Sequence, residues 1–176
     1  MNPWHDIPES RIKPDSFQVV IEIASGSKNK YELDKETGLL KLDRILYTST
    51  HYPSNYGFIP LTYGEDDDPL DVLVLCSESI NPLTLVECYP IGVIPMIDQG
   101  KNDEKIIAVC KNDPRYNGYH SLEELPRHVE EEIRHFFSVY KMLEGKDTIV
   151  PEAKSRSEAE RIIDEAIVRY KKKFLK

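Results

Sequence analysis

The sequence predicts an α+β fold in which a small closed β-barrel is covered by two main C-terminal helices. Two observations carry this. The first two thirds of the chain hold short runs rich in β-branched residues: FQVVIEI (17–23), KYELD (30–34), LLKLDRIL (39–46), DVLVL (71–75), LVECYPIGVIPMI (85–97) and EKIIAV (104–109). Gly, Asn, Ser, Pro or Asp separates them. Long helical periodicity is missing there, and closing the sheet into an OB-like barrel is the natural way to bury so many short strands. The last third changes character. Val129, Ile133, Phe136, Phe137 and Tyr140 fall at i, i+4, i+7, i+8 and i+11, one face of a helix. Pro126 suits its first turn and Gly145 its stop. A final helix is expected to open with the capping box Ser157-x-x-Glu160, then to carry Ile162, Ile163, Ala166, Ile167, Tyr170 and Phe174 on one stripe. Both helices need a surface to cover, and the barrel is the only candidate. No internal repeat or low-complexity linker interrupts the chain, so one domain over residues 1–176 is expected.

Bulk composition agrees. The chain has 176 residues, 40% of them hydrophobic, enough for one globular domain with a substantial core. Charged residues make up 31% and the net charge is −8, so phosphate backbones repel it unless a local basic patch intervenes. The only basic run is Lys171-Lys172-Lys173, which reads as a solvated helix end. Cys76, Cys88 and Cys110 are spaced by 12 and 22 with no CxxC, in apolar strand-like runs. Buried reduced thiols and a cytoplasmic setting are expected. The N-terminus MNPWHDIPESRIKPD lacks the apolar region of a signal peptide. The apolar run YPIGVIPMI is broken by prolines and falls far short of the roughly 20 residues that span a bilayer.

The charged residues are harder to place. EDDDPLD, residues 65–71, sets Glu65, Asp66, Asp67, Asp68 and Asp71 directly before a strand. Carboxylates this close can protonate, fan into water, or hold hard divalent cations such as Mg²⁺. The calcium-loop pattern fails, because Leu70 and Asp71 occupy the wrong places. Taken alone, a solvated acidic turn is the better reading. A second cluster, Asp98, Asp103, Glu104 and Lys105, lies in a hairpin between two strand-like runs, and Glu22 sits within VVIEI. Strict alternation would point Glu22 to the side of Val20, away from Val19 and Ile21. Lys30 and Glu32 share one face of KYELD, Arg44 lies in LKLDRIL, Tyr52 and Tyr56 flank a tight HYPSNYGF segment, and Tyr140 with Lys141 ends the amphipathic helix. Each has a bland explanation, surface pairing or core packing. Brought together, they are the inventory for a small, highly charged phosphate ligand bridged by metal ions.

Spacing alone does not bring them together, but the whole pattern resembles the soluble inorganic pyrophosphatases of family I, in their short bacterial form. Asp66-Asp67-Asp68-Pro69-Leu70-Asp71-Val72 fits that family's acidic signature. KYELD, DRILYTSTHYPSNYGFIP, the hairpin acids with Lys105, and HFFSVYKMLE follow in the family's order. The resemblance implies Mg²⁺-dependent hydrolysis of pyrophosphate to two orthophosphates by in-line attack of a metal-activated water. Asp66, Asp71 and Asp103 would be the core metal ligands, with Asp98 and Glu22 helping to hold further metals. Asp68 would orient the attacking water and take its proton. Lys30, Arg44, Tyr56, Lys105, Tyr140 and Lys141 would hold the phosphates, with Glu32 and Tyr52 supporting from behind. The resemblance also implies a homohexamer, with His135 on the helix used in oligomer contacts.

Two positions depart from the pattern: Asp67 stands where many relatives have Gly, and Gln99 where some bacterial relatives have an acid. Asp67 is expected to point outward, and with Glu65 to be a bystander. His5, His51, His120, His128 and His135 form no metal-binding spacing. Two other classes compete with the enzyme. A nucleic-acid-binding OB-like module needs a basic, aromatic strand face that the acidic chain lacks. A divalent-ion-binding protein without catalysis leaves Lys30, Arg44 and Lys105 unexplained. Pyrophosphate is thus the expected partner, with no nucleic acid and no membrane.

Overall fold

The computed structural model describes residues 1–175. In chain order its elements are β1 (Ile12–Lys13), β2 (Ser16–Ile23), β3 (Asn29–Leu33), β4 (Leu40–Ile45), β5 (Asn55–Phe58), β6 (Asp71–Leu75), β7 (Leu85–Ile94), β8 (Ile97–Asp98), β9 (Lys101–Asn102) and β10 (Lys105–Cys110). Then come α1 (Arg127–Val139), β11 (Thr148–Ile149), β12 (Lys154–Ser155) and α2 (Arg156–Phe174). The main sheet runs β1-β2-β5-β6-β10-β7-β12, and β2 also pairs with β7. That extra pairing closes β2, β5, β6, β10 and β7 into a five-stranded OB-like barrel. All its pairings are antiparallel except β6 with β10.

The barrel strands are buried on both faces, which is why DVLVL and KIIAV read as unbroken apolar runs. Val72 and Val74 pack in one cluster with Ala159, Ile162, Ile163 and Ala166 of α2. Leu73 and Leu75 pack in another with Ile133, Phe136 and Phe137 of α1. Each helix covers a different set of barrel side chains, so removing either would expose a face that cannot face water at low cost. Trp4, Val20, Leu33, Phe58 and Tyr170 form a third, smaller cluster where the N-terminal segment meets α2.

Several details differ from the sequence expectation. HYPSNYGF contains a central barrel strand, β5, because Gly57 lets β2 pass against its backbone: a Cβ there would lie 1.9 Å from the Val20 carbonyl oxygen. The 85–97 run stops at Ile94, and Ile97–Asp98 restarts in a separate ribbon with β9 and β11. The capping box is not formed. The helix α2 starts at Arg156, directly after β12, with Ser155 as its cap residue. Ser157 contacts the Ser155 hydroxyl at 2.9 Å, and Glu160 accepts from Arg156 Nε at 3.0 Å. The helix α1 ends at Val139, with Tyr140 as its C-cap. Gly145, in the left-handed region at φ 69°, closes the following 3-10 turn Met142–Glu144 instead. The three cysteines are free, Cys88 and Cys110 buried and Cys76 half-buried. Among the described residues, no helix is long and apolar enough to cross a membrane.

Candidate active site

One end of the barrel is built to gather charge. Strands β6 and β10 run parallel, so their N-terminal ends coincide and Asp71 and Lys105 are registered neighbours. Asp103 lies two residues before Lys105, anchored by its backbone N–H to the Met96 carbonyl at 2.9 Å. The tight β8–β9 turn, with Gln99 and Gly100 both at positive φ, carries Asp98 back over the same end. The loop before β6 brings Asp66 in. That loop is pinned by α2, whose Ala166 carbonyl accepts from Tyr63 N–H at 3.0 Å and whose Arg169 Nε donates to the Tyr63 carbonyl at 2.9 Å.

Glu22 arrives by a different device. The β2–β5 register slips between Ile21 and Ile23, leaving Glu22 as the extra residue of a bulge. The slip breaks the strict alternation expected from the sequence and leaves Glu22 buried, its Oε2 accepting from Leu33 N–H at 2.8 Å. A second slip, between Lys30 and Tyr31, sets Lys30 opposite Arg44 across β3 and β4.

The result is a cavity of 740 Å³, lined by Glu22, Lys30, Glu32, Tyr52, Tyr56, Asp66, Asp68, Asp71, Asp98, Asp103, Lys105, Tyr140 and Lys141. Thirteen of the fourteen residues singled out from the sequence therefore meet there. Arg44 is the one that does not line the wall. Its guanidinium pairs with Asp43, and its Nε stands 2.9 Å from Glu144 Oε1. Arg44 Nε and Nη2 are buried and make no hydrogen bond. Glu65 and Asp67 stay outside the cavity wall, Asp67 accepting from the Tyr63 hydroxyl at 2.5 Å. Asp67 is in the left-handed region at φ 67°, a conformation that glycine adopts freely. Sequence reading missed Trp4, Lys35, Lys41 and Lys101, which also line the cavity. No motif marks them; they come in only because the N-terminal segment (Trp4), the β3–β4 hairpin (Lys35, Lys41) and β9 (Lys101) border the cavity.

On the cavity floor, Lys105 is 3% exposed and donates to Asp71 Oδ2 at 2.7 Å, Asp103 Oδ1 at 3.0 Å and the Tyr56 hydroxyl at 3.0 Å. Carboxylate oxygens of Asp66, Asp71 and Asp103 lie within 4.8 Å of one another, and one ammonium does not neutralise three of them. Burial pushes Asp66 up to about 7, with repulsion from Asp71 and Asp103 adding to it. Burial likewise lifts Asp71 to about 6 against the pull of Lys105. Burial and then Asp71 push Glu22 up to about 8. Burial works against the charge of Asp103 too, but the Lys105 ammonium outweighs it and holds Asp103 below its ordinary value. Burial also raises the phenols of Tyr52, Tyr56 and Tyr140, so they stay protonated near neutral pH. Across the cavity Lys141 pairs with Asp98, and Lys30 with Glu32. Tilted and edge-on ring contacts hold the phenols: Tyr52 lies 5.2 Å from Tyr56 and 4.7 Å from Phe136, and Phe137 lies 5.4 Å from Tyr140.

An oxygen-only triad that is under-neutralised without a cation suits a hard divalent ion. Lysines and phenol donors around it suit phosphoryl oxygens. Fold and site together define a hydrolase of the phosphate-processing class on an OB-like barrel. Comparison with known proteins narrows this. The sequence profile described as inorganic pyrophosphatase matches residues 19–171. The chain is 56% identical over 149 residues to a soluble inorganic pyrophosphatase of Solanum tuberosum, covering 85% of this chain and 71% of that protein. It is 45% identical over 174 residues to soluble inorganic pyrophosphatase 2 of Chlamydomonas reinhardtii, covering 99% and 91%. Among solved structures, the inorganic pyrophosphatase of Thermus thermophilus superposes with a TM-score of 0.92 at 38% identity, covering 97% of this chain and 99% of that one. The Helicobacter pylori inorganic pyrophosphatase gives 0.87 at 41% identity, covering 90% and 95%. The chain belongs to the inorganic pyrophosphatase family.

Proposed function

We propose that this protein hydrolyses inorganic pyrophosphate to two orthophosphates, with Mg²⁺ as its cofactor, through attack of a water in line with the leaving phosphate. One observation carries the reading: a half-buried Asp66–Asp71–Asp103 triad, two of whose members pair with the buried Lys105, facing Lys30 and Lys141 across one cavity. Membership of the pyrophosphatase family supports the substrate. In this reading one catalytic domain spans residues 1–176.

Asp66, Asp71 and Asp103 would hold a divalent ion, and Asp98 and Glu22 further ones. A bound divalent ion supplies charge neutralisation at the phosphate oxygens and makes a coordinated water easier to deprotonate. Asp68 lines the cavity at its rim, and in this reading it would orient the attacking water and accept its proton. Lys30, Lys105 and Lys141 offer ammonium groups to the phosphates, and Tyr56 and Tyr140 offer protonated hydroxyls. Arg44, opposite Lys30 across β3 and β4, would hold a phosphate oxygen through Nη2, which makes no hydrogen bond, once its side chain turns toward the cavity. Glu32 and Tyr52 keep Lys30 and Tyr56 in place. The work is positioning and charge neutralisation, with no covalent intermediate.

The reading extends to a cytoplasmic homohexamer. The exposed apolar side chains Leu42, Ile45, Met142 and Leu143 support its oligomeric part, which light scattering tests.

The deciding experiment is phosphate release from pyrophosphate by the purified chain. Release is expected with Mg²⁺ and is expected to stop with EDTA. No release across a Mg²⁺ titration sinks the reading.

A further inference from the structure

Lys35 is absent from every motif, yet it meets the proposed proton acceptor. It sits in the β3–β4 turn, and its ammonium pairs with the Asp68 carboxylate. The same Nζ lies 3.4 Å from the Asp67 carbonyl oxygen and 5.4 Å from the centre of the Trp4 ring. Among the described residues, the Asp68 carboxylate has no other hydrogen-bond partner. Its backbone is tied down, with Gly64 N–H donating to the Asp68 carbonyl at 2.7 Å and Asp68 N–H reaching Asp66 Oδ1 at 3.3 Å. The side chain, half exposed at 52%, is otherwise free to rotate.

The lysine is itself held from below. Trp4 is buried, and its Nε1 donates to the Thr62 carbonyl at 2.8 Å. Thr62 Oγ1 in turn accepts from Leu70 N–H at 2.9 Å, next to β6. Asn2 Nδ2 donates to the Lys35 carbonyl at 3.0 Å, and Asn2 Oδ1 accepts from Trp4 N–H at 2.9 Å. The N-terminal residues thus clamp the turn that carries Lys35 onto the same frame that carries the acidic loop.

We propose that Lys35, seated on Trp4 and fixed by Asn2, is a positioning residue that holds the Asp68 carboxylate in one orientation for proton transfer. The proposal rests on the reading of Asp68 as the catalytic proton acceptor. An exposed ion pair adds little to folding stability. Its effect is expected in the geometry of the reacting group, where small misplacements cost rate.

The test is steady-state kinetics of Lys35→Met, Lys35→Arg, Asp68→Asn and the double variant Lys35→Met/Asp68→Asn, with Mg²⁺ and pyrophosphate. Lys35→Met should lower kcat about fivefold, leave KM within about twofold and leave Tm nearly unchanged. Lys35→Arg, which keeps the charge over Trp4, should recover most of that kcat. In the Asp68→Asn background the Lys35→Met change should have no further effect. A raised KM with unchanged kcat would make Lys35 a phosphate ligand and overturn the proposal. So would an equal loss of kcat in the Asp68→Asn background, or a large drop in Tm. A wild-type kcat in Lys35→Met beside an inactive Asp68→Asn defeats this proposal alone. A near-wild-type kcat in Asp68→Asn defeats it together with the reading of Asp68.

Discussion

The cavity has a floor and a lip, and they treat the same residue types differently. On the floor a lysine 3% exposed is shared by two aspartates and a phenol. On the lip Lys35 and Asp68, 48% and 52% exposed, form one half-exposed ion pair. A charge buried in the barrel end must be paired, so the floor is part of the fold as well as of the site. A charge on the lip is stabilised by water whether or not it is paired, so the lip can be altered with little cost to folding. With Asp68 as the proposed proton acceptor, the floor would hold geometry and the lip reactivity. Substitutions should therefore separate: floor changes reach stability first, lip changes reach turnover first.

The largest expected effect lies on the lip. Asp68→Asn should lower kcat by about 1,000-fold while Tm moves by no more than about 2 °C, since the proposed proton acceptor is lost from a half-exposed position. Turnover within tenfold of wild type would place the proton acceptor elsewhere. Next comes the floor. Lys105→Met should cost about 3 kcal/mol in denaturant unfolding, because Asp71 and Asp103 are left facing each other without a cation. A cost under about 0.5 kcal/mol would show that the floor is not tied to folding.

The smallest effect is a dependence on pH. Asp71, Asp66 and Glu22 sit at about 6, 7 and 8 in the folded chain, above ordinary carboxylate values. The metal-free fold then keeps protons that the unfolded chain has released. Their contribution to stability is full below about pH 4 and is lost as pH rises through about 6 to 8. In the proposed reading a divalent ion on the floor would take the place of those protons. The rise in Tm caused by Mg²⁺ should therefore be larger at about pH 8 than at about pH 5.5. Thermal melts with and without Mg²⁺ check this, and an equal rise at the two values would mean that the floor acids do not bind the ion.

Much of this was legible from residues alone. Apolar runs between turn formers located most barrel strands, because a strand buried on both faces has no choice but to be apolar. The stripe Ile133, Phe136, Phe137 and Tyr140 located α1 for the same reason. The acids and lysines stood out because nothing in a core explains them. What escaped were features set by pairing across the fold. Residues 55–58 read as a tight segment because Gly57 and the nearby Pro53 hide the alternation of a four-residue strand. Ser157 and Glu160 matched a cap, yet the pairing of β12 with β7 starts α2 earlier.

The sequence by itself determined the layer architecture, the supply of carboxylates and cations, and the apolar faces that the two helices cover. These follow from local composition and period, which each segment carries without its neighbours. Only the tertiary structure decided which charges meet. The parallel pairing of β6 with β10 set Asp71 beside Lys105, and the bulge at Glu22 turned a strand residue into the cavity. The clamp of Asn2 and Trp4 set Lys35 against Asp68 across more than thirty residues of chain. Charge interactions depend on distance and burial, and those exist only after the chain has closed on itself.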